Sequence, residues 1–182
     1  MVQGSSKRVE LFTEMIPGLR RLITIRRFGY RPAEESMQDV RAAASELKID
    51  LLEWGVTSRE ELQTMLASAR WQPADGIMIV PDTFTISNLD LILETSLEQH
   101  VPTLGTQDYM ADWGALAAYG PSAYEAGAQD AVYVDKISKG AKPGDLAIEP
   151  IDPTFVINLK AAECIGVSLP LGLLHQADRV IR

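Results

Sequence analysis

The chain has 182 residues, enough for one domain with a substantial core or for two small lobes. Hydrophobic residues make up 46% and charged residues 23%, which is ordinary for a globular protein and excludes a disordered one. The formal net charge of −8 argues against general nucleic-acid binding, which requires a basic surface to neutralise phosphates.

Cysteine and histidine are too sparse for a disulfide or a metal cluster. The single cysteine, Cys164, lies in an apolar helical stretch, so we expect a buried structural thiol. His100 and His175 are far apart and lack metal-ligand spacing, and no metal or cofactor is expected. No run approaches the ~20 apolar residues of a membrane span. The first eight residues lack an apolar segment, so the sequence as given is expected to carry no secretory signal.

Helices and short apolar strands alternate through the first 105 residues. Helices are predicted where apolar residues recur every three or four positions, and strands where short β-branched runs lie between breakers. Thr57 and Glu60 are predicted to form a capping box that opens the third helix. The predicted elements are helix 9–19, strand 19–26, a helix from residue 33, strand 49–54, a helix from residue 57, strand 77–80, helix 86–99 and strand 101–104.

This alternation predicts an α/β fold with three α/β/α layers around a parallel sheet of flavodoxin-like strand order. The central strand is predicted at residues 77–80, where Asp75-Gly76 and Pro81 bracket four apolar residues. Such a run is typical of a strand buried on both faces. The sheet is expected to have neighbouring parallel strands connected by right-handed crossovers.

The pattern changes after Gly105. Ser122 and Glu125 form a second capping box, and its helix is predicted to end at Lys139-Gly140. A connector follows over residues 140–153, with one short extended piece at 146–148. The remaining predicted elements are strand 154–159, helix 160–165 stopped by Gly166, and a terminal helix from Pro170.

Several motifs in this last third occur in a recognisable order. They are residues 114–121 (GALAAYGP), 134–143 (VDKISKGAKP), 155–162 (FVINLKAA), 166–170 (GVSLP) and 174–181 (LHQADRVI). Residues 7–11, Pro17-Gly18 and residues 80–82 fit the same order. This succession resembles the substrate-binding proteins of bacterial ABC importers, specifically the family with a type I periplasmic-binding fold that includes binders of aromatic amino acids. The resemblance spans residues 7–181.

The resemblance implies a non-enzymatic solute-binding component of an ABC import system. Its partners would be a small polar solute, for example an amino acid, and separate membrane subunits. Its location would be periplasmic or at the cell surface. Residues 1–113 would be the family's second lobe and residues 114–182 a crossover and return segment, with the first lobe absent from this sequence. The family's Tyr-Asn-Pro-like turn is replaced here by Arg27-Phe28-Gly29-Tyr30.

The missing first lobe also bears on the helix at residues 122–139. In complete relatives this helix packs on the sheet of the first lobe. Here its apolar stripe (Ala123, Ala126, Ala131, Val134 and Ile137) has no such sheet to cover it. A monomer seldom exposes an apolar patch of this size. We therefore predict a homodimer in which this helix is interfacial, by two-fold contact or by exchange of residues 114–150.

The candidate ligand site lies where the central strand ends, because ligands of open α/β sheets bind beyond the carboxyl ends of the strands. A carboxylate and hydroxyls there suit a polar solute, and aromatic rings can stack on it. The alternative reading of Asp82 is a loop or helix-capping carboxylate with no ligand, and its truncation, as that of an exposed loop carboxylate, is expected to leave the fold nearly intact. The predicted contacts are Asp82, Thr83 and Thr85, facing Arg27, Phe28 and Tyr30 across the switch point between the first and third strands.

Thr106, Gln107 and Tyr119 are further candidate contacts. Thr106 and Gln107 follow the next strand, where satisfying backbone groups is the alternative role. Tyr119 lies near the expected hinge, and a half-buried packing tyrosine is the other reading. Five arginines (Arg20, Arg21, Arg26, Arg27 and Arg31) are expected to form a solvated face balanced by Glu34, Glu35 and Asp39.

Catalytic motifs are missing from the sequence. It has no Gly-x-Ser-x-Gly elbow and no phosphate loop, so an enzyme is not expected. The main alternative function is a free-standing flavodoxin-like regulatory or dimerisation domain. A receiver domain would need an acidic pair after the first strand, where this chain has Arg26-Arg27. A doubly wound enzyme, recognisable by a bound nucleotide, is the third reading.

Overall fold

The computed structural model describes residues 3–147 and 149–182. Helices and strands alternate along most of the chain, as the hydrophobic periodicity predicts. In order they are α1 (Gln3–Met15), β1 (Arg21–Arg27), α2 (Arg31–Glu46), β2 (Asp50–Val56), α3 (Arg59–Ser68), β3 (Asp75–Ile79), α4 (Thr83–Ser87), α5 (Leu89–Glu98), β4 (Thr103–Gly105), α6 (Tyr109–Asp112), β5 (Ala117–Pro121), α7 (Ala123–Ser138), a 3-10 turn (Pro143–Asp145), β6 (Pro153–Asn158), α8 (Leu159–Ile165), α9 (Leu171–Gln176) and β7 (Arg179–Ile181).

One sheet of 7 strands in the order β2-β1-β3-β4-β5-β6-β7 forms the centre of the molecule. Strands β1 to β5 are parallel to their neighbours, with Ile23 beside Ile77 and Ile25 beside Ile79. The first five strands therefore have the predicted flavodoxin-like order, with the switch point between β1 and β3. Strand β6 runs antiparallel to β5, and β7 is parallel to β6.

Helices cover both faces of the sheet, which confirms the three-layer α/β/α prediction. Because successive strand residues point to opposite faces, Leu22 and Met78 join the core with α1 and α2. Ile23 and Ile77 instead pack on the other face against Leu62 of α3 and its neighbours. Burying each such side chain contributes about 1.5–3 kcal/mol, so the double-sided burial of β1 and β3 stabilises the fold.

The predicted helix at residues 86–99 is two helices, because Asp82 starts α4 earlier and Asn88 interrupts the ladder. The Asn88 backbone has φ −118° and ψ 20°, outside helical values. Its side-chain amide donates to the Phe84 carbonyl over 2.8 Å, and its Oδ1 accepts from Arg59 Nη1 over 2.9 Å. These bonds stabilise a break that the apolar stripe does not reveal.

The first capping box is shifted by one residue from its prediction. Ser58, not Thr57, caps α3 and accepts the N–H of Glu61 at 3.2 Å. The Glu61 carboxylate accepts the Thr57 N–H at 2.8 Å. Of the second box, the N-cap is confirmed, since the Ser122 hydroxyl accepts from the N–H of Glu125 over 3.4 Å.

Cys164 is exposed, and its prediction as a buried thiol is wrong. Helix α8 buries Ala161, Ala162 and Ile165, and Cys164 faces away from that stripe. In the connector, Leu146 has extended dihedrals without belonging to a strand of the described chain. The last residue of the predicted extended piece, Ile148, lies outside the described residues.

Helix α7 stands apart from the core. None of its 16 described residues is buried, and Tyr124, Val132, Val134 and Ile137 are among the exposed large hydrophobic residues. Its main partner is the connector, whose Ala147 carbonyl accepts from the Tyr133 hydroxyl over 2.9 Å. At its base, the Ala123 N–H donates to Asp108 over 3.1 Å.

Candidate functional site

The carboxyl ends of β1 and β3 meet at one edge of the sheet, which we call the carboxyl edge. There the backbone N–H of Arg27 donates to Oδ2 of Asp82 over 2.9 Å. The other carboxylate oxygen of Asp82 accepts the N–H of Thr85 over 2.7 Å and caps α4. The two loops at the switch point are therefore joined as the strand order predicts, by a carboxylate that also starts a helix.

Asp82 is not the exposed loop carboxylate of the prediction, because only 4% of its surface is accessible. Both of its oxygens accept backbone hydrogen bonds, which matches the capping alternative. Thr85 is fully buried, and its hydroxyl donates to the Val80 carbonyl over 2.7 Å. These two side chains hold the loop in shape.

Four other candidates at the switch point face solvent. The Phe28 side chain is 70% exposed and Tyr30 is 38% exposed. The Phe28 ring lies over Gly55, where a Cβ atom would come within 3.2 Å of it. Thr83 and Arg27 are also exposed. A hydroxyl, a cation and two aromatic rings are thus available to a solute at this point.

The candidates after β4 and β5 are more enclosed. Thr106 is buried, with its N–H directed at the Met110 sulfur over 3.3 Å. Gln107 is half-buried. Tyr119 is also half-buried and packs edge-on against Phe155, with 6.3 Å between ring centres. The structure therefore gives Tyr119 the packing contact that the alternative reading describes.

Arg8 also reaches the carboxyl edge, and sequence reasoning missed it. Its Nε donates to the Tyr119 carbonyl over 2.7 Å, linking α1 to the end of β5. Within the described residues, no carboxylate lies within 4.0 Å of its guanidinium. Burial lowers the pKa of Arg8 to about 10. The contact spans 111 positions in sequence, so no local pattern signals it.

Among the described residues, three of the five arginines of the predicted cluster pair with carboxylates, and only Arg26–Glu34 and Arg31–Glu35 use predicted partners. Arg21 makes a two-pronged bond to the buried Asp75 at the opposite, amino-terminal edge of the sheet. Arg26 pairs with Glu34 at 2.9 Å and with Glu53 at 3.3 Å. Hydrogen bonds from Arg41, and then from Arg26, hold the pKa of Glu53 below its usual range.

A groove of about 660 Å³ runs along α4 and α5. It is lined by Ile86, Ser87, Asp90, Leu93, Glu94, Leu97 and Trp113. Among the described residues, no three His, Cys, Asp or Glu side chains are placed to hold a metal ion together. Within residues 3–147 and 149–182, no helix has both the length and the apolar character needed to cross a membrane.

Comparison with known proteins gives one family and several structural neighbours. A family model described as "ABC transporter substrate binding protein" matches residues 3–181. No curated protein matches the chain. A conserved domain protein from Vibrio cholerae O1 biovar El Tor is 24% identical with a TM-score of 0.82, over 97% of this chain and 60% of that one.

Two further structures share the fold at lower identity. An ABC domain in complex with L-Trp from Streptococcus pneumoniae is 20% identical with a TM-score of 0.82, over 98% of this chain and 62% of that one. A ligand-free, open substrate binding protein with adhesive properties from Clostridium difficile is 17% identical with a TM-score of 0.71, over 96% and 59%. The chain thus spans about 60% of the length of these structures.

Proposed function

Because this chain belongs to the ABC transporter substrate-binding protein family, we propose that it is a non-enzymatic solute-binding component of an ABC import system. Its partners are a small polar solute and the membrane subunits of the transporter. The family is extracellular or periplasmic, and we assign this protein to the periplasm or the cell surface. The observation that carries the proposal is the Arg27–Asp82 link, which holds the switch-point loops together with exposed polar and aromatic groups around them.

The solute contacts in this proposal divide into two groups. Phe28 and Tyr30 stack on the solute, while Thr83 and Arg27 offer it a hydroxyl and a cation. Asp82, Thr85 and Thr106 are buried and contribute by holding the loops, with Gln107 and Tyr119 at the margin. We propose an amino acid as the solute class, and the L-Trp complex of a structural neighbour supports testing aromatic amino acids first.

The test is solute binding by the 182-residue protein, measured by calorimetry and ligand-observed NMR with a panel of amino acids. Phe28→Ala should weaken binding about tenfold, because one exposed stacking contact is lost. Leu171→Ala is the matched control, since Leu171 is 74% exposed and lies on α9. Unchanged affinity in Phe28→Ala, with binding intact in the control, would remove the switch-point loops from the site.

We also propose that a second copy of the chain covers α7. Ala123, Val134 and Ile137 of its predicted apolar stripe share one face of the helix, and all three are exposed. A copy related by a two-fold axis would bury this apolar face against the same face of its partner, as a two-fold interface requires.

A further inference from the structure

The Arg8 guanidinium lies at the carboxyl edge, close to Gly4 and Gly120. Helix α1 runs antiparallel to β1, so its first turns lie at this edge, and the Arg8 side chain folds back toward the helix start. A Cβ atom on Gly4 would lie 3.3 Å from Arg8 Nη2, and one on Gly120 would lie 3.4 Å from it. The guanidinium therefore lies between two glycines, each of which leaves room beside it.

The hydrogen-bonding capacity of Arg8 is mostly unused. A guanidinium has five N–H donors, and in the described part of the chain only Nε has a partner, the Tyr119 carbonyl at 2.7 Å. By contrast, Arg21, Arg41 and Arg179 each pair with carboxylates at the periphery. The lowered pKa of Arg8 reflects its desolvation, yet at about 10 it leaves the group charged at neutral pH.

A partly buried cation without a counter-charge is costly unless something binds it. Arg8 is half-buried, so part of the guanidinium remains accessible from the carboxyl edge. We propose that the outer nitrogens of Arg8 bind the carboxylate of the solute. This inference rests on the proposed function for the solute itself, and the planar guanidinium fork matches a carboxylate with two parallel hydrogen bonds.

The anion site can be tested without knowing the solute. In the 182-residue protein labelled with nitrogen-15, the side-chain Nε–H signal of Arg8 is followed during titration with sodium acetate. Sodium chloride at equal ionic strength and acetamide are the reference titrants. The expected result is a saturable shift of the Arg8 signal with acetate only. Arg20, exposed at the opposite edge of the sheet, supplies the control signal and should show no saturable shift.

Two variants test whether the signal comes from Arg8 and whether Arg8 binds the acetate. The backbone N–H of Gly120, beside the guanidinium, reports acetate binding in every variant. Arg8→Gln should remove the Arg8 signal and the acetate-dependent shift of Gly120, and Arg20→Gln should affect neither. If Arg8→Gln does not fold, Arg8→Lys keeps the charge but loses the two-pronged geometry, so acetate binding should weaken about tenfold. An Arg8 signal that moves no more than that of Arg20, or equally with acetamide, would overturn the proposal.

A second comparison separates this inference from the proposed function. L-Tryptophan and its neutral-ended amide are titrated into the wild type and into Arg8→Gln. Binding of both ligands with equal affinity, unchanged in the variant, would refute the role of Arg8 and leave the solute-binding function standing. A saturable acetate response without binding of any amino acid would support the anion site and count against the proposed amino-acid solute.

Discussion

The backbone N–H of Arg27 donates to Oδ2 of Asp82 over 2.9 Å, and this bond joins the end of β1 to the start of α4. The second oxygen of the same carboxylate caps α4 through Thr85. One buried side chain therefore fixes both loops at the switch point of the sheet. Its removal should disturb the candidate site through the backbone as well as through any direct contact.

Asp82→Ala should destabilise the protein by about 2 kcal/mol, because it removes a helix cap and leaves the part-buried N–H of Arg27 without its acceptor. Asp82→Asn keeps an oxygen that can cap α4 and should cost less. Urea denaturation of the three proteins measures the difference. A loss below about 0.5 kcal/mol in Asp82→Ala, the usual effect of a surface substitution, would show that the carboxylate does not hold the loops.

Gly120→Ala should be strongly destabilising. A Cβ atom at Gly120 would overlap the carbonyl of Thr106 at the end of β4, and a backbone group cannot move aside as a flexible side chain can. We expect a loss of about 3 kcal/mol, the upper part of the range for overpacking. Gly127→Ala on α7 is the matched control, since nothing lies within 4 Å of the added atom. Thermal unfolding should show the control to be equal to or more stable than the wild type.

Stability should fall on acidification partly through Glu53. Hydrogen bonds from Arg41 and Arg26 lower its folded-state pKa, so the folded state releases this proton more readily than the unfolded state does. The resulting stabilisation is fully present above the unfolded pKa, about 4.3, and is lost as pH falls through the lower folded value. Glu53→Gln should cost about 1 kcal/mol or less at pH 7, because the pair is partly exposed.

The difference between wild type and Glu53→Gln should then shrink at acid pH. Denaturation at pH 7, 4 and 3 measures the trend. Gln63→Ala, exposed on α3, removes no titratable group and provides the comparison, whose difference from the wild type should not depend on pH. A gap that widens below pH 4 would contradict the assigned sign.

The α7 interface predicts that a charge on the apolar stripe prevents dimerisation. Val134→Glu should weaken the dimer, since it would bury a carboxylate in the two-fold contact. Val132→Glu is the matched control, because Val132 is exposed on the opposite face of α7 and its substitution should leave the dimer intact. Light scattering at micromolar concentration reads the mass directly. A monomeric wild type, or equal weakening of the dimer by both substitutions, would refute this interface.

The sheet was predictable where burial leaves a periodic signal. Strand β3 and helix α7 were predictable because their signals, an apolar run and a helix cap, each lie within a few consecutive residues of the sequence. Strand β5 was missed because Ala117 to Pro121 contains Gly and Pro and has low β-propensity; it becomes a strand through pairing with β4 and β6. Strand β7 has only three residues and likewise depends on its neighbour.

The position of the candidate site was predictable from the sequence, but which of its residues are buried and which are exposed was not. The strand order brings Arg27 and Asp82 together, as expected from the flavodoxin-like pattern. The burial of Asp82 and the exposure of Phe28 depend on how the chain packs where α4 begins. The local sequence pattern does not encode this packing. The capping-box error has a similar origin, since Thr57 with Glu60 and Ser58 with Glu61 satisfy the same spacing.

The antiparallel pair β5–β6 has a consequence for engineering the chain. Pro121 lies beside Pro153, so the segment between them leaves the sheet and returns to the point of departure. Since α7 contributes no buried residue within that segment, it behaves topologically as an insertion between two strands. Replacing residues 122–152 with a short turn would make β5 and β6 a hairpin. That position is also a natural place to graft a foreign helix or sensor domain without cutting the sheet.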